Sequence, residues 1–271
     1  MLEIERELYN EGLAHQGPVV NGVTTGIRYF SNLNGVKENP GTIGTCCEGQ
    51  GTRLYGSINE HLFSLAPAGA PPALYVDILA PSDINFTAGA ATVSVQVVTD
   101  FPYGSSVELI VGSSPPGASF DLALRIPAWT STASVVVSVD GTPLPAASAG
   151  SYLHTQQRPW PALTRVTYEL PPAIVAHRYT GVSQIAPFTR YTYTIGPVQL
   201  AATSGARYNK TLQGLVIPGV DGSRPQDWLI PAGDANPLHF AVLGIDDVLF
   251  QPAWEVNDIG AIFSNYPCFD Q

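Results

Sequence analysis

The residues best suited to chemistry sit together in Thr45-Cys46-Cys47-Glu48-Gly49-Gln50-Gly51-Thr52-Arg53. Neighbouring cysteines rarely bond to each other, because the bridge is strained. Both can instead act as soft ligands to one Zn²⁺ ion where the backbone turns, and the flanking glycines permit such a turn. A bound dication and a helix N-terminus each lower a thiol's pKa. A thiolate so placed is a nucleophile at neutral pH. Taken alone, the pair reads first as two buried small residues. Two ligands also fall short of the three or four that a zinc site needs. Cys268 lies near the far end and reads as structural, and three cysteines do not make a disulfide framework.

Other residues offer weaker chemistry. Glu48 can serve as a general acid, or simply sit against the positive start of a helix. His61 falls on the polar or half-buried side of a helix, and His15, His154, His177 and His239 show no metal-ligand spacing. Trp129 and Trp160 can stack on a sugar, but large aromatics more often fill cores.

The elements that must position these residues change character along the chain. Leu2, Leu8, Tyr9 and Leu13 share one face of a short helix that ends near His15-Gln16-Gly17. A second helix fits 52–63, where Leu54, Ile58 and Leu62 line one face with Tyr55 beside them, so the cysteines fall just before it. Between the helices, Gly26 to Gly35 reads as an extended, hairpin-like segment. The run Ala66-Pro67-Ala68-Gly69-Ala70-Pro71-Pro72 breaks any helix. Beyond it the period becomes two. Val93, Val95 and Val97 alternate with Ser94 and Gln96, and Phe120, Leu122, Leu124 and Ile126 follow the same rule. Val135, Val137 and Val139 lead into Asp140-Gly141, a strong hairpin turn. Val166, Tyr168 and Leu170, then Tyr191 to Leu200, extend the series, and two more strands fit 238–243 and 248–256. Short strands at this spacing predict an antiparallel sandwich.

Composition excludes some partners. Twelve Lys and Arg against 22 Asp and Glu give a net charge of −10. No basic cluster interrupts that background, so nucleic acid is excluded, because phosphate binding needs a positive surface. No apolar run approaches the roughly 18–20 residues that span a membrane. Charged residues make up only 13%, below the usual ~25%, while 26 Gly and 24 Pro suit many strands joined by tight turns. The charged N-terminus is not a signal peptide. The sequons Asn85-Phe86-Thr87 and Asn209-Lys210-Thr211 are compatible with an extracellular location. Nothing in the sequence fixes an oligomeric state.

The cysteine motif gains specificity from its company. Leu8-Tyr9-Asn10, then Gly26-Ile27-Arg28-Tyr29-Phe30, then Thr45 to Ser57 resemble glycoside hydrolase family 127 in content and order. So do Leu122-Ala123-Leu124-Arg125-Ile126-Pro127-Ala128-Trp129, Val139-Asp140-Gly141, Gly150-Ser151-Tyr152, Arg158-Pro159-Trp160 and Gly196-Pro197-Val198-Gln199-Leu200. The likeness covers residues 1–202 and continues more weakly through Pro237-Leu238-His239-Phe240 to the end. It implies an (α/α)₆ barrel followed by β-sandwich domains, and a retaining β-L-arabinofuranosidase acting on a carbohydrate substrate. It also implies a zinc ion held by a Glu-x-Cys pair and the Cys-Cys pair, with Cys46 matching the nucleophile and Cys47 a ligand. Tyr29 falls in the segment that supplies an aromatic sugar contact.

The sequence departs from that pattern in one respect. It contains no Glu-x-Cys, and the family's acid/base glutamate would lie upstream of the first helix here. A chain that starts inside an amphipathic helix reads as the C-terminal part of a longer protein. The expected fold is therefore the last helices of an (α/α)₆ barrel over 1–65, an antiparallel β-sandwich over 66–205, and a C-terminal β segment over 206–271, mostly β in all. The expected function is a glycosidase that is inactive without the missing barrel. The rivals are a non-catalytic sandwich module that binds carbohydrate or a partner barrel, and a structural zinc protein.

Overall fold

In the computed structural model the described residues are 2–21, 23–24, 26–29, 32–37, 46–131, 134–182, 184–210, 212, 214–258 and 260–270. Short helices precede a series of mainly antiparallel sheets, as the sequence predicts. The chain divides into two compact units. Among the described residues, one comprises 57–173 with Leu2, the other 3–56 with 174–270.

The first unit is the sandwich. Six strands pair in the order Thr142–Pro143, Ser138–Val139, Leu163–Glu169, Ser106–Ser114, Ala91–Thr99 and Ser82–Ala88. The second sheet runs Ser151–His154, Ala118–Ile126, Ala73–Val76 and Phe63–Leu65, with Arg158–Trp160 also on Ala118–Ile126. Period two explains the layers. Along Ala91–Thr99 every second residue is buried, and Val93 and Val95 are fully so. Each such valine contributes about 2 kcal/mol relative to exposure. Register keeps like with like: Val95 faces Val111, and Leu109 faces Val166. Phe120 stacks on the fully buried Trp160, whose Nε1 donates to the Phe120 carbonyl at 3.0 Å. Trp160 therefore fills the core, while Trp129 lies half-buried against Phe101. The Asp140-Gly141 turn forms as expected, with φ of +47° and +80° in a tight hairpin that pairs Val139 with Thr142.

The second unit is built on an eleven-stranded sheet. Thr189–Ile195 and Val198–Thr203 pair there with strands from the C-terminal part of the chain, including Ile245–Pro252 and Cys268–Phe269. Its core is aromatic: Tyr193, Trp228, Phe250 and Phe269 meet edge-on or tilted, with centroids 5.5–6.0 Å apart. Tyr193 is fully buried, and its hydroxyl donates to the Gly222 carbonyl at 2.8 Å. Cys268 is buried here, as a structural reading requires.

Two local expectations shift. The hairpin-like segment lies earlier than predicted, because Val19–Val20 pairs with Val23–Thr24. Asn34–Val36 pairs instead with Ile262–Ser264. The second helix begins at Cys46 rather than at 52 and ends at Ser57, continuing as one tight turn over Ile58–His61. Glycines at 49 and 51 weaken helix propensity by about 1 kcal/mol each, which hid the first turn from a sequence reading. No helix among the described residues is long and apolar enough to cross a membrane.

Candidate functional site

The cysteines occupy the first turn of the Cys46–Ser57 helix, where the aligned peptide dipoles make the helix end positive. Cys46 is exposed and Cys47 half-buried. The first helix seats this one. Its middle turn, Glu7–Gly12, is a wide π turn, and at its end Tyr55 donates its hydroxyl to the Gly12 carbonyl. Leu54 packs so closely over Gly12 that a β-carbon there would sit 2.9 Å from its Cδ2. At Gly51 a β-carbon would fall 2.3 Å from Cδ1 of Ile27. Gly51 lies one helical turn beyond Cys47 on the same face. The Gly26–Tyr29 segment therefore runs against the cysteine face of the helix at Ile27. Glu48, in the first turn, is half-buried, and its carbonyl accepts from Thr52 Oγ1 at 2.8 Å.

The family-like motifs acquire structural roles. Asn10 spans to the sheet: its Nδ2 donates to the Pro197 carbonyl at 2.8 Å, and its Oδ1 accepts from the Gln199 N–H at 2.7 Å. Tyr9 packs on Trp254 at 5.6 Å. Arg28, only 1% exposed, donates to the Gln16 carbonyl and to Oδ1 and O of Asn257 at 2.8 and 2.9 Å. Tyr29, one residue on, is 44% exposed and so presents an aromatic ring to solvent.

The thiol pair suits half of a zinc site. It offers two adjacent soft donors. Desolvation pushes the Cys47 thiol up, and the hydrogen bond to Cys46 and its charge push the same way. A charge on Cys47 is thus disfavoured beside Cys46, and a bound dication would reverse that penalty. Among the described residues no three His, Cys, Asp or Glu side chains gather to complete a metal shell. The histidines separate. His61 is half-buried near the sandwich, His15 lies 3.1 Å from Glu11, and His154 lies 2.6 Å from Asp121.

The feature that sequence reasoning missed surrounds His239. Both its ring nitrogens meet carboxylates, Asp234 at 2.7 Å and Glu255 at 2.6 Å. The run Asp234-Ala235-Asn236-Pro237 carried a signal, since Asp and Asn before Pro favour side-chain-stabilised turns. Glu255 is brought in by the fold alone.

The fold is similar to the β-rich part of solved glycoside hydrolase structures. Residues 73–172 match the family model described as "Beta-L-arabinofuranosidase, GH127 middle domain", and this stretch carries that domain. Nearly the whole chain superposes on solved structures of similar fold. A GH127 β-L-arabinofuranosidase from Geobacillus stearothermophilus T6 matches 98% of the chain and 45% of its own, at 18% identity and a TM-score of 0.69. A second GH127 β-arabinofuranosidase matches at 16% identity and 0.67, covering 98% of this chain and 45% of that one. A protein described as a glycoside hydrolase matches at 15% and 0.64, over 100% and 48%. The chain thus spans less than half the length of each. No curated protein sequence matches it.

Proposed function

We propose that the chain is the C-terminal part of a retaining glycosidase acting on β-L-arabinofuranosides or a related sugar, with Cys46 as nucleophile. The observation that carries this reading is the pair of adjacent thiols on the first turn of a helix, Cys46 exposed and Cys47 half-buried, in a fold similar to that of GH127 enzymes. Cys46 and Cys47 would hold a zinc ion, which when bound supplies positive charge that keeps a thiol ionised at neutral pH. Cys46 Sγ is the exposed sulfur, free to reach an anomeric carbon, whereas Cys47 is half-buried and suited to ligation. Tyr29 would stack on the sugar through its exposed ring. Attack by Cys46 expels the leaving alcohol, which needs a proton, and water then frees the sugar with retention. No residue near Cys46 is placed in this reading as that proton donor. The chain alone is therefore expected to bind weakly and not to turn over.

The test is hydrolysis of an aryl β-L-arabinofuranoside by the full-length parent enzyme. Cys46→Ala should lower kcat/KM by about a thousandfold or more, as removal of a nucleophile does. Retained activity would rule out the assignment. The second reading, a non-catalytic module, draws on the Cys46–Ser57 helix, none of whose 12 residues is fully buried. It requires sugar binding by this chain that survives Cys46→Ser.

A further inference from the structure

A groove of the second unit, about 810 Å³ in volume, is lined in part by five acidic residues, Asp234, Asp246, Asp247, Glu255 and Asp258. Arg207 pairs with Asp247 at 2.7 Å. Two of the others are joined by His239, which is 17% exposed in its side chain. Ionised carboxylates only accept hydrogen bonds, so a ring that bonds one at each nitrogen must donate from both and carry the extra proton. Asn236 completes the tie by donating Nδ2 to both Glu255 oxygens at 3.0 and 3.1 Å. The loop itself is folded by short-range bonds. The Asn236 N–H donates to Asp234 Oδ1, the Leu238 N–H to Asn236 Oδ1, and the His239 N–H to the Asn236 carbonyl. This loop joins the strands Leu229–Pro231 and Phe240–Val242, while Glu255 follows the strand Ile245–Pro252.

We infer that His239 is a pH-released clasp: as an imidazolium it ties the 232–239 loop to Glu255, and on losing a proton it gives up one of its two carboxylate bonds and loosens that wall of the acidic groove, leaving Asn236 as the remaining tie. A neutral ring has one N–H, so its other nitrogen would set a lone pair against a carboxylate. The charged groups facing the ring are Asp234 on its own loop and Glu255 on the segment beyond the neighbouring strand. Burial alone would lower the His239 pKa, but the hydrogen bonds to both carboxylates outweigh it and hold it above 6.5. Asp234 is held below its usual 3.8, first by the bond to His239 and then by the Asn236 N–H. The contribution of His239 is complete below pH 6.5 and is lost as pH rises through its raised value. That of Asp234 is present above 3.8 and is lost as pH falls through its lowered value. The clasp is closed between those limits.

The test follows the ¹⁵N resonances of the His239 ring in the full chain across pH 5–9, assigned with His239→Gln, alongside hydrogen exchange of the 232–239 amides. Both ring nitrogens should remain protonated past pH 6.5. Loop protection, corrected for intrinsic exchange, should fall about tenfold for each unit by which His239 titrates above that value. The fall should be absent in His239→Gln, and Glu255→Gln should move the titration downward. A ring that titrates at or below 6.5, or loop protection indifferent to its titration, would overturn the clasp. Thermal melts of both variants separate loss of the tie from loss of the fold.

Discussion

The cysteine turn and the His239 clasp are both polar clusters of the second unit, and they differ in completeness. Every hydrogen-bonding position of the His239 ring is met by residues of this chain. Among the described residues the thiols meet each other at a positive helix end, and no third ligand joins them. A cluster that closes on itself serves the fold that contains it. The other leaves Cys46 exposed, and under the proposed function it would take up a metal and a sugar from outside. The contrast makes distinct demands on mutagenesis.

The largest effect should fall on activity with none on folding. Cys46→Ala should cost about a thousandfold in the parent enzyme yet leave the melting temperature of this chain within about 1 °C, since the side chain is exposed. A drop of several degrees would mean that Cys46 is part of the packing, and the contrast would collapse.

Lys37 sharpens the comparison from the side of charge. It is 3% exposed, with Nζ 5.1 Å from the Phe263 ring centre and 3.2 Å from the Ala14 carbonyl. Burial first, then the Arg28 charge, lowers its pKa to about 8, against a smaller opposing pull from Glu11. Unlike His239, it is a cation that the fold disfavours. The unfolded chain holds that proton up to about pH 10.4, so stability from this group should rise with pH above about 8. Urea unfolding of the wild type and Lys37→Met from pH 7 to 10 should differ by a slope worth about 3 kcal/mol in all. The buried tyrosines cancel in that difference. Parallel curves would show that Lys37 titrates normally.

Asn10→Ala should destabilise by about 1–3 kcal/mol, because it strands the Gln199 N–H and the Pro197 carbonyl. Denaturant unfolding measures it, and a change under 0.5 kcal/mol would remove Asn10 as the anchor of the first helix. The smallest effects concern two glycines of the cysteine helix. Gly49→Ala meets open space and should stabilise by up to about 1 kcal/mol. Gly51→Ala drives a β-carbon into Ile27 and should instead lose stability by about 1 kcal/mol. Equal melting shifts for both would mean that the helix does not rest on Ile27.

These cases show how much was legible beforehand. Val93, Val95 and Val97 announced their sheet because alternation is a local property, and Asp140-Gly141 announced its turn for the same reason. The motif around Cys46 was legible as chemistry, but its helix start was masked by Gly49 and Gly51, of which only Gly51 is held by close packing. Arg28, Lys37 and the His239–Glu255 bond were not legible. Each depends on a partner that only the folded sheet brings near, as Asn257 does for Arg28 across 229 positions. The pairing of 189–203 with strands beyond 240 was hidden likewise, since periodicity identifies a strand and not its neighbour.

The short strand Asn34–Val36 has a consequence for the order of assembly. Its partner is Ile262–Ser264, and Arg28 beside it waits on Asn257. A ribosome makes the cysteine-bearing segment before the sandwich, yet the sandwich strands pair with neighbours close in sequence and can close first. The two thiols therefore pass through synthesis on a segment without these partners, which lie about 230 positions further along the chain, in the stretch 257–264. Any trimming of that stretch, by a protease or a premature stop, would leave the sandwich intact and set the cysteines adrift.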